Sequence, residues 1–285
     1  MRLLIDGDWI IYTAGFASQH TTYVCPELFG AQEFPNMTAL DAAVDALPLS
    51  SYGAVYSRVE VDDISHTLHS AKQMLIKAIG TCQKHFNQTM KAEVYISKDG
   101  NFRHQIATIA PYKGNRPLNS KPAAYPALLA YLEQNWNALP VYGQEADDQL
   151  AIEQSKATGP TCIVGVDKDL LQVPGYHYNP NKGFTTISPA LGELLLYRQA
   201  LTGDPTDNIK GCYKAGAKAA SILIQNNSSA TTKWNAVVRA YEHSIDKYGS
   251  DLYNGLSGYD AALENMRLVY LRRRVGEIWT PGAGV

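Results

Sequence analysis

Apolar and polar positions along the chain fall into two alternating patterns. Short apolar runs rich in β-branched residues stand at RLLIDGD (2–8), AEVYIS (92–97), TCIVGVD (161–167) and YHYNP (176–180). Each is too short for a helix and lacks an exposed polar face, as in buried strands. Between them, helical periodicity predicts helices over 63–86, 126–139, 145–156 and 189–201. Strands that alternate with helices predict an α/β fold with a mainly parallel central sheet flanked by helices. Right-handed crossovers would then bring the residues that follow each strand to one rim of that sheet.

Past Thr202 the pattern changes. GDPTDNIKGCYKAGAKAASILIQ (203–225) has turn residues, spaced glycines and then a small-residue helix, followed by helical patterns over 232–248 and 259–275. Two parts are expected: an α/β core over 1–201 and a helical region over 202–285. The stretch 17–58 shows no clean period and reads as an insertion after the first strand.

The 285 residues, 45% hydrophobic, suffice for one large or two small cores. Asp6 and Asp8 interrupt the amino-terminal apolar run, which therefore reads as a strand rather than a signal peptide. No apolar run approaches the roughly 20 residues of a membrane span. Cys25, Cys82, Cys162 and Cys212 have no CxxC spacing, so neither zinc nor a disulfide framework is indicated, and a reducing cytoplasm is the expected setting.

Acidic residues supply the candidate chemistry. QEADDQLAIEQ (144–154) holds Glu145, Asp147 and Asp148 at the start of a predicted helix. One reading is charge complementarity with the helix dipole. The other is a shared cation, because like charges this close repel unless one sits between them. Asp6 (with Asp8), Asp167 and Asp169 follow predicted strands, and Asp204 and Asp207 open the helical part. Without the eight charges of Asp6, Glu145, Asp147, Asp148, Asp167, Asp169, Asp204 and Asp207, the formal charge of −2 would become +6. Oxygen ligands without His or Cys favour Mg²⁺ or Mn²⁺, and two such ions can serve phosphodiester hydrolysis. Eight carboxylates exceed the needs of one ion, so some are expected to hold metal-bound waters.

Basic groups are localised. Residues 97–126 carry Lys98, Arg103, Lys113, Arg116 and Lys121 against Asp99 alone, and FRHQIATIAPYKGNRP places Tyr112 beside Lys113. A cationic segment with an aromatic suits a phosphate and an unstacked base. In GCYKAGAKAA, Gly211 and Gly216 would let backbone amides approach a phosphate, with Lys214 and Lys218 adding charge. The arginines of RLVYLRRRVGE (267–277) are either solvated or contact a polyanion.

IDGD, DGNFRHQIATIAPYKGNRP, EADDQLA, GVDKDLLQ and LTGDPTDNIKG, in this order, resemble the flap endonuclease/5′-nuclease family in its phage and bacterial polymerase-associated form. The resemblance implies a PIN-like nuclease core with a helical arch over about 97–126, and a helix–three-turn–helix over about 202–224. It implies a metal-dependent 5′→3′ exonuclease and 5′-flap endonuclease in the cytoplasm of a bacterial or phage-infected cell. Asp6, Glu145, Asp147 and Asp148 would surround a first metal, and Asp167, Asp169, Asp204 and Asp207 would complete the pair of sites, with Asp204 and Asp207 nearer the second. Asp8 and Asp99 would stand just behind. Lys113, with Arg116, would meet the scissile phosphate and Tyr112 would stack on a base. Arg103 and Arg116 would line the arch, and the glycine turns would grip duplex DNA, with a K⁺ ion. Expected partners are DNA with a 5′ single-stranded end or flap, an RNA/DNA primer and a replicative polymerase, with the protein a monomer and no membrane involved. Lys210 replaces a proline usual in the family's turn.

Two alternatives remain: a PIN-like single-strand ribonuclease, and a non-catalytic DNA-binding module. Ribonucleases of that kind are usually much shorter and lack YKGNR and the glycine turn. The complete acid set speaks against the second.

Overall fold

A computed structural model describes residues 1–47, 54–116, 121–225 and 228–282. The chain runs β1 (Arg2–Asp6), α1 (Gly7–Ala17), β2 (Gln19–Val24), α2 (Pro26–Phe29), α3 (Met37–Asp45), β3 (Tyr56–Val61), α4 (Ile64–Phe86), β4 (Lys91–Ser97), α5 (Arg103–Ile106), α6 (Tyr125–Trp136) and β5 (Leu139–Val141). It continues through α7 (Ala146–Ser155), β6 (Thr161–Val164), β7 (Gly175–Asn179), β8 (Gly183–Ile187), α8 (Pro189–Thr202), α9 (Ala217–Leu223), α10 (Ala230–Tyr248) and α11 (Gly258–Val269).

The main sheet has the order β5-β4-β1-β6-β7-β8, parallel except for the β7–β8 hairpin. Both faces of β1 are covered, which explains its unbroken apolar run. Leu3 and Ile5 pack with residues of α1, α4 and α6, whereas Leu4 packs with Ala146, Leu150 and Ala151 of α7. From β1 the chain builds outward through β4 and β5, then returns to the other side at β6. The crevice beyond the carboxyl ends of β1 and β6 is therefore a topological switch point, where open α/β sheets bind ligands.

A second hydrophobic cluster joins Leu196, Tyr197 and Leu201 of α8 to Trp234, Val237 and Tyr241 of α10 and Ala261 and Met266 of α11. The division expected at 201/202 runs through this cluster, since α8 packs with the helices that follow it. Segment 17–58 begins after α1, not directly after β1. It forms an antiparallel β2–β3 ribbon around its own small cluster of Cys25, Phe34, Leu40 and Val44, while residues 48–53 lie outside the described residues.

One buried ion pair ties the sheet to the helical cluster. Arg103 is 1% exposed and Asp148 0%. Nη1 of Arg103 donates to Oδ2 of Asp148 at 2.6 Å and Nη2 to Oδ1 at 2.9 Å, while Nε and Nη2 reach the carbonyls of Leu268 and Tyr270, each at 2.8 Å. Asp148 also accepts from the backbone N–H of Glu145 and of Arg272. Every lone-pair direction of this carboxylate is thereby occupied.

These contacts explain where sequence periodicity misjudged the carboxyl-terminal helix. The pattern over 259–275 stays helical only to Val269, after which Tyr270 turns extended and residues 270–273 form a strap. Gln172 holds the strap by donating to the carbonyl of Val269 and accepting from the N–H of Leu271. Arg272 and Arg273 are 8% exposed, so these two are neither solvated nor offered to a polyanion. Arg272 lies 3.5 Å from the Phe102 ring centroid and donates to Gln144, and Arg273 donates to the carbonyls of Leu271 and Gln172. The helix expected over 126–139 ends at Trp136, because residues 139–141 supply the edge strand β5.

Two stability predictions follow from these ion pairs. Arg103→Ala would strand Asp148 without its cation and is expected to cost about 3–5 kcal/mol, read by urea unfolding. Arg2 binds Glu93 and Glu153 at 2.6 and 2.7 Å, and its hydrogen bond draws the Glu93 carboxyl from 4.5 to about 2. A lowered carboxylate stabilises the fold above its ordinary range and loses that contribution as pH falls toward about 2. Glu93→Gln should therefore flatten the acid limb of the stability–pH curve below about 4.5, while a curve like that of the parent would remove this assignment.

Candidate active site

The carboxylates at the rim are placed by backbone geometry. Asp6, the last residue of β1, caps α1 by accepting from the N–H of Trp9 at 3.2 Å. Gly7 allows this helix to start against β4, since a Cβ there would lie 2.7 Å from the carbonyl oxygen of Tyr95. Asp8 accepts from the Ser97 N–H at 3.2 Å, and Ser97 Oγ accepts from the N–H of Ala146, which ties α1, β4 and α7 together. Asp167 follows β6 and accepts from the Asp169 N–H at 2.8 Å.

Asp204 and Asp207 lie on a closed loop. Gly203 and Gly211 both have left-handed φ, 68° and 67°, and their backbones touch; a Cβ on Gly203 would fall 2.3 Å from the Ile209 carbonyl oxygen. Paired backbone hydrogen bonds between Asp204 and Ile209, at 2.9 and 2.8 Å, shut the loop. The YKGNR turn is fastened to it: the Lys113 N–H donates to the Asp207 carbonyl, Asn115 to that of Pro205, and Asn208 back to that of Pro111.

Cations engage some of the acids directly. Lys113 pairs with Glu145, Arg116 donates to Asp207 at 2.7 Å, and Lys168 pairs with Asp204 at 2.7 Å. The Tyr112 hydroxyl lies 2.8 Å from both Glu145 Oε2 and Asp207 Oδ2, and its single proton is contested by the two. Glu145 stays low, at about 2, because the charges of Lys113 and Arg103 outweigh its burial. Asp204 is lowered by Lys168 against its burial.

The remaining five acids are all displaced upward. Burial, then the Asp8 charge, pushes Asp6 to about 8, and burial carries Asp8 to about 6. Asp169 rises to about 7 through burial and Asp167. Asp147 rises well above the carboxylate range through burial and the charges of Asp6 and Asp167, and Asp167 also rises through burial. Oδ1 of Asp169 is buried, and the Gln199 side chain beside it, which holds the carboxyl down against its burial, makes no well-formed hydrogen bond to it. The groups form the common wall of two adjoining clefts, of about 400 and 530 Å³, which share Lys113, Arg116, Glu145, Asp147 and Asp167.

This surplus of acid, with Asp6 and Asp204 buried and the others open in part to the clefts, fits divalent cations: hard oxygen donors and mutual repulsion. Three of the acids are held by Lys113, Arg116 and Lys168 and the rest repel one another. Among the described residues no three His, Cys, Asp or Glu side chains stand close enough together to hold a metal ion in this arrangement.

The geometry brings Asp6, Asp8, Glu145, Asp147, Asp167, Asp169, Asp204 and Asp207 to one crevice, with Asp99 at its edge and Lys113 and Arg116 across it. Asp148 is not among the acids of the crevice. It was expected as a metal ligand and catalytic group, but its neighbour Asp147 faces the crevice while Asp148 turns inward to Arg103. Arg103, expected in the arch against DNA, is that buried partner. Tyr112, expected as a stacking platform, is 4% exposed with its hydroxyl engaged. The Gly211 N–H is spent on Asn265 Oδ1 at 2.9 Å and faces no phosphate. Gly216, Lys214 and Lys218 do stand exposed at the start of α9. Of the arch expected over 97–126, the described part contains only the single turn α5 and the fastened YKGN turn; residues 117–120 lie outside the described residues. Lys168 and Ser97 were missed. A lysine between two aspartates in VDKDL was a usable signal for the first, whereas nothing local marks the second.

Tyr112→Phe separates two roles for this ring. Loss of the hydroxyl that joins Glu145 to Asp207 is expected to lower the stability of the free protein by about 1 kcal/mol, measured by denaturant unfolding without DNA. A ring serving only as a stacking platform would leave that value unchanged.

No protein-family model matches the sequence. Among solved structures, a bacteriophage T5 D15 protein co-crystallised with metal ions superposes at a TM-score of 0.55 and 15% identity, covering 94% of this chain and 88% of that one. A T5 5′-exonuclease with zinc bound superposes at 0.51 and 18% identity, over 69% of this chain and 80% of that one. Among the described residues no helix is long and apolar enough to cross a membrane. The superpositions give this chain the fold of these T5 proteins, a mostly parallel sheet flanked by helices.

Proposed function

We propose that this protein is a divalent-metal-dependent 5′-nuclease that hydrolyses DNA phosphodiesters at 5′ single-stranded ends and flaps. The observation that carries this reading is the imbalance at the switch point: nine carboxylates line the two clefts against six lysines and arginines, of which Lys113, Arg116 and Lys168 pair with the acids of the crevice wall. The 5′-exonuclease similarity and the bound metals of the superposed T5 proteins support it at the level of fold. The central sheet with its flanking helices is proposed as the nuclease core, and the helical cluster, which α8 joins, as the region that holds duplex DNA.

Asp6, Asp147, Asp167 and Asp169 are the residues that would hold the ions, with Asp8 behind them. Mg²⁺ or Mn²⁺, when bound, supplies charge neutralisation at the phosphate and makes a water more acidic. Glu145, Asp204 and Asp207 already hold cationic side chains, which a phosphate can take over. Lys113 is central to that exchange. Its left-handed backbone, φ 55°, and its fastened turn fix where its ammonium group enters the crevice. Released from Glu145, that group can meet a phosphate oxygen and stabilise the extra charge of the transition state. Arg116 can do the same from Asp207.

The test is cleavage of a labelled duplex carrying a 5′ flap, with Mg²⁺ and then with EDTA. Cleavage near the junction that requires metal is the expected result. Metal-dependent binding without cleavage would instead support a non-catalytic binding module, and preference for free single-stranded RNA a ribonuclease. Asp167→Asn is expected to abolish turnover while DNA binding persists. Lys113→Ala should lower the single-turnover rate by about a hundredfold with a much smaller effect on the Kd for DNA.

A further inference from the structure

A second concavity lies outside the acidic crevice, between α9 and α10, with a volume of about 620 Å³. Its walls are aliphatic: Ala215, Ala219, Ile222 and Leu223 on one side, Ala236 and Ala240 on the other. Ile222 is 64% exposed and Leu223 45%, large values for aliphatic side chains beside one another on a surface. The aromatic end is formed by Tyr213 and Tyr248, whose rings meet edge-on at 5.1 Å. Lys214 lies 4.6 Å from the Tyr248 ring centroid, and Lys247 at 5.3 Å from the same ring.

The rim has one sign of charge. Lys214, Arg239 and Lys247 line the groove, and among the described residues no Asp or Glu does. Glu242 and Asp246, the acids of the same stretch of α10, are not part of the lining, and Glu242 packs instead against Gly258. An apolar floor with a cationic rim specifies an occupant that has both apolar anchors and negative charge.

We propose that this groove docks an acidic peptide segment of a partner protein, with leucine- or phenylalanine-type side chains seated between Ile222 and Ala236 and carboxylates meeting Lys214, Arg239 and Lys247. Duplex DNA shares the charge but not the anchors. A sugar–phosphate backbone gains little from Ile222, Leu223 and a row of alanines, whereas an amphipathic segment buries them. The inference does not depend on the nuclease reading, because none of the groove's residues lines the acidic crevice.

Fluorescence anisotropy with the whole protein tests it. The probe is a short fluorescein-labelled peptide in which aspartates flank leucine and phenylalanine, and the controls are a peptide with serine at the apolar positions and a labelled DNA duplex. Saturable binding of the first peptide, weakened by salt and absent with the serine control, is expected. Ile222→Asp and Arg239→Glu should each weaken it by about tenfold or more, with a smaller change in affinity for the labelled duplex. Both positions are exposed, so the variants are expected to fold, which circular dichroism verifies. Absence of saturable peptide binding overturns the proposal. So does peptide affinity unchanged by both substitutions, or a loss confined to duplex binding, which would assign the groove to DNA.

Discussion

The buried pairing of Arg103 with Asp148 is the constraint on which the rest of the molecule depends. One guanidinium joins the start of α7, which lies on the sheet, to the carbonyls that follow α11, which belongs to the helical cluster. An unpaired charge at that depth would be strongly unfavourable, so both partners and the strap they hold must be in place together. The crevice lies directly above this junction. Glu145, one turn from Asp148, shares its capping interaction, and Arg103 also approaches Glu145 Oε2 at 3.5 Å. A group that first reads as part of the chemistry is in this way the support beneath it.

Above the junction, charge organises the site. Acids that form an ion pair, Glu145 and Asp204, stay low, whereas those without one rise through burial and the charge of their acidic neighbours. This division separates two functions within one acid cluster. Glu145, Asp204 and Asp207 fasten the YKGNR turn and the VDKDL loop across the crevice, and the others keep a concentration of negative potential that a divalent cation would relieve. The same lysine and arginine side chains that neutralise acids can be transferred to an incoming phosphate with little loss of pairing.

Loop geometry sets the precision of that exchange. The mutual contact of Gly203 and Gly211, possible only without side chains, folds GDPTDNIKG into a closed ring, and the ring fixes Asp204 and Asp207 relative to Lys113. Distances across the crevice are thus set by backbone hydrogen bonds rather than by long side chains alone, and a preorganised site of this kind loses less freedom when a charged ligand arrives.

Much of this was legible in the sequence. The strand–helix alternation, the parallel sheet, and the arrival of Asp6, Glu145, Asp147 and Asp167 at one rim follow from periodicity and handedness, which are local properties. The order of IDGD, YKGNR, EADD, DKDL and GDPTDN carried the family resemblance on the same basis. Tertiary structure decided the rest. Asp147 and Asp148 are adjacent and chemically alike, and only a partner 45 residues away at Arg103 turned one inward and left the other in the crevice. The helical pattern through Val275 yielded to Gln172, Asp148 and Arg103, which capture the backbone of 268–273. Tyr112, whose neighbours in sequence advertise an exposed platform, is buried with its hydroxyl between two distant carboxylates that compete for its proton. Sequence by itself determined which charges reach the rim, because chain direction and strand period are short-range; packing alone decided which of them face solvent, because burial of a charge depends on where its counter-charge stands in space.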